Sequence, residues 1–347
     1  MNGIDLLNTL KRRGHFTLIK NAISANLLPT SNSWDKTIVK ITPILTNHDT
    51  AEDAEIKLKA ILMDSILYAN KSCQLYKTVD GQATLLIKSI IADKNFIQNT
   101  EFSKNFPLSL DVTELIKQAL QPTPTYIHLE ENKITIIYCS KRYFTSREDI
   151  SMSTLSKEAQ QELLGYDVLV GVKRDVYQAY DSICIDGNKN LITINVDRSD
   201  DLSTREIASV FRVLPNLFFE SSNQYTDLAL TPVNLFPAIK KLYETLDGKV
   251  VELGHLTNTA SKKQEKMKFK KDDLRREAYH KGGKEAVNNL INCYYISKTW
   301  IEGELHICGQ SALISNSEPT IFIANIHHCI GNNSYHSILD KLLTALG

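Results

Sequence analysis

Apolar positions recur along this chain in two periods. The three-and-four spacing is strongest at Leu58, Ile61, Leu62, Ser65, Ile66 and Ala69, with Lys57, Lys59 and Asp64 off that stripe. It predicts a helix opened at Thr50, with Asp53 three residues on in the manner of a capping box. Further helices are predicted over residues 3–11, 112–120 (opened by Asp111, with Glu114 three on), 157–164 (closed by Gly165 as a left-handed cap), 203–212 (stopped near Pro215), 235–246 and 334–346.

Period-two or β-branched runs predict strands over 16–19, 37–41, 83–91, 167–173 and 320–326. Three hairpins are predicted: 126–129 with 134–138, 181–185 with 191–196 across Asp186-Gly187-Asn188, and 293–301 with 304–308 across Glu302-Gly303. The first two look alike, and they read as ordinary hairpin chemistry in preference to a repeat. Hairpins recur without a regular strand–helix–strand alternation. The expected fold class is therefore α+β, with mostly antiparallel sheets built from hairpins and flanked by helices. The polar stretch 145–156 is the linker candidate. It divides the chain into an N-terminal α/β domain, 1–150, and a C-terminal α+β domain, 157–347, that carries the basic segment 261–284.

Composition narrows the function classes. Lys plus Arg equals Asp plus Glu, 40 each, which excludes a wholly electrostatic binder of the histone kind. No apolar run approaches the ~20 residues of a bilayer span, and residues 1–20 lack a secretory pattern. No membrane association is expected. Cys73, Cys139, Cys184, Cys293, Cys308 and Cys329 are far apart, and most lie beside Ile or Tyr in strand-like runs. They read as buried free thiols of a cytoplasmic protein.

Charge is segregated within this neutral total. Residues 261–284 hold ten Lys and Arg and four acids, Glu265, Asp272, Asp273 and Glu277. The segment is thus +6 and the remainder of the chain −6. Phosphate contacts need Lys or Arg, and Phe269 and Tyr279 offer rings that stack on bases or pack beneath the patch. The candidate nucleic-acid-binding residues are Lys262, Lys263, Lys266, Lys268, Lys270, Lys271, Arg275, Arg276, His280, Lys281 and Lys284. The competing reading is a solvated loop and a salt-bridged helix, with Asp273 and Glu277 paired to Arg276 and Lys281.

Other motifs are incomplete. Gly282-Gly283-Lys284 lacks the following Ser or Thr and the upstream Gly of a phosphate loop. Asp197, Asp200 and Asp201 follow a strand, where carboxylates can hold Mg²⁺, but they also precede a helix whose dipole favours acids. Glu131-Asn132-Lys133 and Asp247-Gly248-Lys249 match only the last piece of a nuclease motif and sit at turns. His306, Cys308, His327, His328, Cys329 and His336 crowd one region without a zinc-finger spacing. His48-Asp49 and Gly309-Gln310-Ser311 lack the further residues of a dinuclear site and of a nucleophile elbow. Phe211, Leu217, Phe218 and Phe219 read as core.

The leading expectation is a non-enzymatic binding protein that contacts the phosphates of DNA or RNA through the basic segment, within a larger complex and without metal or cofactor. The second is a protein-interaction or sensor subunit, or a homo-oligomer, docking an acidic partner. Bacterial host defence is one setting for such a subunit, and no residue argues for it. The third is a metal-dependent phosphodiester hydrolase using Asp197, Asp200 and Asp201.

Overall fold

The computed structural model of the protein describes residues 2–198, 204–228, 230–259 and 261–347. Among them, strands join into one antiparallel sheet with helices on both faces, an α+β fold. From one edge to the other the order is β2 (Thr123–Glu130), β3 (Lys133–Asp149), β4 (Val170–Asp186), β5 (Leu191–Asp197), β1 (Lys71–Lys77), β10 (Ala324–His327), β9 (Glu304–Cys308), β8 (Ile291–Thr299), β6 (Lys249–Thr257) and β7 (Lys262–Lys266). The three predicted hairpins form as β2–β3, β4–β5 and β8–β9. Strands from both halves of the chain meet at β1 and β10, through Lys71–Cys73. The linker candidate 145–156 begins at the distal end of β3, in a ribbon that β3 and β4 extend beyond β5.

One core spans one face of the sheet from β3 to β6. It takes α1 (Gly3–Arg13), α2 (Phe16–Ala25), α3 (Trp34–Thr46), α4 (Ala51–Tyr68), α10 (Phe236–Glu244) and α12 (Asn332–Leu346) onto the sheet. The second core lies on the opposite face beneath α5 (Gln82–Ala92) and α9 (Thr204–Ser222). Among the described residues it uses β1–β5 and no side chain of β6–β10. Cross-strand partners share a face. From Val196, a member of the second core, the register passes through Ser72, Asn325, His306, Ser297, Glu252 and Lys266. That face is therefore apolar and helix-covered over one half of the sheet, and polar over the other.

Several local expectations give way to packing. Residues 16–19, 37–41 and 83–91 are helical, in α2, α3 and α5. In α3 the core-facing residues are Trp34, Ile38, Ile41, Ile44 and Leu45, a three-and-four spacing hidden among β-branched neighbours. Ala83, Leu86, Ile87 and Ile90 repeat it in α5. The helical cost of a β-branched residue is a fraction of a kcal/mol, below the gain from burying its side chain. Helix α9 runs through Pro215 to Ser222, burying Phe211, Leu214 and Phe218. Thr50 starts α4 without a side-chain cap, and Gly165 is not left-handed. Strands β1, β6 and β7 had no counterpart among the predicted elements.

Candidate nucleic-acid interface

Strands β6 and β8 are neighbours in the sheet, yet residues 258–290 separate them in sequence. The basic segment is thus an insertion hung on the sheet's outer edge. It comprises β7, a 3-10 turn at Leu274–Arg276 and α11 (Ala278–Ala286).

Its attachment uses some of the candidate cations. Leu274 is buried against the main core. Arg275 donates to the carbonyls of Tyr243 (3.2 Å), Thr245 and Gly248 (2.8 Å), and meets Asp273 at 2.7 Å. His280 is buried between the Glu265 carboxylate and the Tyr243 hydroxyl, the latter at 2.9 Å. Lys284 lies over the Tyr243 ring, 5.0 Å from its centre, with its Nζ 3.3 Å from the hydroxyl. His255 packs beside His280, and burial pushes its pKa down.

The remaining cations divide between the two sides of the edge. Along β7, Lys262 and Lys266 point one way and Lys263 and Glu265 the other, as strand alternation requires. Lys266 reaches Glu252 at 3.4 Å, and Lys270 reaches Glu304 at 2.6 Å. Lys268 and Lys271 flank the Phe269 ring, 5.3 and 5.5 Å from its centre. Neither these two nor Lys262, Lys263, Arg276 and Lys281 have a carboxylate within ion-pair distance among the described residues, and the last four make no ring contact either. The salt-bridged helix does not form as expected. Asp273 turns back to Arg275, and Glu277 caps α11 by accepting from the Tyr279 and His280 N–H groups. A cleft of about 480 Å³ opens beneath the turn, lined by Lys249, Lys271 and Arg276 and by Asp272, Asp273 and Glu277.

The insertion abuts the polar face of the sheet. Glu304, on β9, accepts from Lys270 and lies 3.3 Å from His306 Nε2 and 4.0 Å from His328 Nε2. Burial alone would raise its pKa, but the bonds from His306 and Lys270 hold it at about 2. The His327 ring is 5.0 Å from that of His306. Burial, with His306, Arg198 and His328 nearby, pushes its pKa down to about 3. Cys308 is exposed and contacts the Asn325 amide at 3.7 Å, whereas Cys329 is buried and His336 meets Lys133 at 3.3 Å. Among the described residues no three His, Cys, Asp or Glu side chains converge as a metal would require.

Asp197 is occupied as well. Arg13 meets it at 3.1 Å, Lys71 at 3.0 Å and the Tyr180 N–H at 3.2 Å. Burial would raise its pKa, but Arg13 and Lys71 hold it well below the usual carboxylate range. Its backbone N–H donates to Asp181, itself paired with Arg142. These are the contacts of a structural ion-pair network joining α1 to the sheet. Asp200 and Asp201 lie outside the described residues. Phe211 and Phe218 are buried in the second core and Phe219 packs against Tyr76, whereas Leu217 is half-buried and outside both cores. No known family model matches this sequence, and no curated protein does either.

Proposed function

We propose that this chain is a non-enzymatic binding protein that holds nucleic-acid phosphates along the outer edge of its sheet. The observation that carries this reading is the set Lys262, Lys263, Arg276 and Lys281, cations with neither an acid nor a ring partner among the described residues, on an insertion whose fold is secured by other residues. Phe269 and Tyr279 support it. They are 52% and 73% exposed, and stacked bases contribute about 1–3 kcal/mol per ring.

The test is fluorescence anisotropy with labelled DNA and RNA oligonucleotides across a salt series. Four engaged phosphates give a log–log slope of about −2.8 on a single strand and about −3.6 on duplex DNA. Replacing the four cations by Ala removes most of that slope and weakens binding evenly across sequences. Absence of binding to both nucleic acids at low salt overturns the reading. A stoichiometric acidic protein that copurifies without nucleic acid assigns the surface to a protein partner instead.

A further inference from the structure

A second cleft, of about 470 Å³, lies toward the other edge of the sheet. The ladder of β2 on β3 stops at the pair Thr123–Cys139, whereas β3 continues through Ser140 to Tyr143 with β4 as its strand partner. The exposed flank of β3 is bordered by α9 and by the turn at residues 120–122, and the cleft lies between them. Its size is within the range of ~300–1,000 Å³ that small-molecule sites occupy.

Two cations there lack a carboxylate partner among the described residues. Lys141 is only 9% exposed; its ammonium donates to one carbonyl, that of Ile116, and lies 6.0 Å from the centre of the Tyr143 ring. No carboxylate lies within ion-pair distance of it among the described residues. An ammonium has three N–H donors, and a buried cation without a counter-charge is costly. Arg174 is exposed and lies over the Tyr143 ring, 4.3 Å from its centre, also without a carboxylate within ion-pair distance among the described residues. Arg142, by contrast, is neutralised by Asp181, and the lining holds one acid, Glu206. The opposite wall is apolar: Leu120, Pro122, Val210 and Val213.

We propose that this cleft binds a small organic anion: a carboxylate, phosphate or sulfonate head on an apolar body. The head meets Lys141 and Arg174, and the body rests on the Leu120–Val213 wall. The site stands apart from the basic insertion and does not rest on the nucleic-acid reading.

The probe is 8-anilinonaphthalene-1-sulfonate, titrated into the full chain by fluorescence, with octanoate as competitor. One saturable site that octanoate displaces is expected. Ser209→Trp, at an exposed cleft-lining position of α9, abolishes it. Lys141→Met weakens it about tenfold or more, the loss of a charge-assisted contact. Val172→Thr, exposed on the β3–β4 ribbon away from the cleft, leaves it unchanged. Emission that never saturates, or equal affinity in Ser209→Trp, overturns the proposal. Should Lys141→Met fail to fold, Ser209→Trp with an unchanged melting temperature decides alone.

Discussion

His327 makes stability depend on pH in a way that can be worked out. It occupies β10 opposite Glu304, beside His306 and His328. Burial, with His306, Arg198 and His328 nearby, moves its pKa from 6.5 down to about 3 against the opposing pull of Glu304. The folded protein therefore keeps this imidazole neutral at a pH where the unfolded chain has taken up a proton. The stability it protects is complete above 6.5 and is lost progressively as pH falls toward the folded value. At about pH 7.5 the effect is under about 0.1 kcal/mol, and at about pH 5 it is about 2 kcal/mol, since each unit below 6.5 costs about 1.4 kcal/mol. The perturbation is His327→Gln, which keeps a polar side chain and removes the titration. The assay is urea unfolding of both proteins at the two pH values, followed by circular dichroism. The stability advantage of the unaltered protein should shrink by about 2 kcal/mol on acidification. Burial pushes His255 and His336 in the same direction, but both are present in each protein and cancel in the difference. An advantage that is the same at both pH values would show that His327 takes up its proton as readily folded as unfolded, and would refute the reasoning.

Other perturbations read other parts of the molecule. Asp197→Asn leaves the wholly buried Lys71 and its neighbour Arg13 without their counter-charge, and should cost about 3–5 kcal/mol in urea unfolding. A loss under about 1 kcal/mol would mean the network is not held by charge. Arg275→Ala removes the donor to three backbone carbonyls beneath the insertion, at a cost of about 1.5–3 kcal/mol. Limited proteolysis should then cut within residues 258–290 before any other site, and unchanged cleavage would argue against that anchor. Phe218→Ala opens a cavity in the second core and should lower stability by about 3–5 kcal/mol, read from the denaturant midpoint.

What the sequence determined by itself was whatever depends on near neighbours. Asp111 accepts from the N–H groups of Thr113 and Glu114 and opens a helix where its spacing predicts one. Asp186-Gly187-Asn188 turns β4 into β5, and the antiparallel α+β class follows from such hairpins. The concentration of cations between residues 261 and 284 was equally plain. Tertiary structure decided the rest. Lys71–Lys77, with only Cys73 and Leu75 turned into the main core, becomes the central strand because β5 and β10 pair with it. Residues 37–41 become helix because Ile41 and its three-and-four neighbours find a core. Which cations remain unpaired was equally hidden, since Lys270 is neutralised by Glu304 and Lys266 by Glu252, each distant in sequence. Caps and turns act through bonds a few residues apart, whereas ion pairs and burial depend on distance in space, which only the packed chain defines.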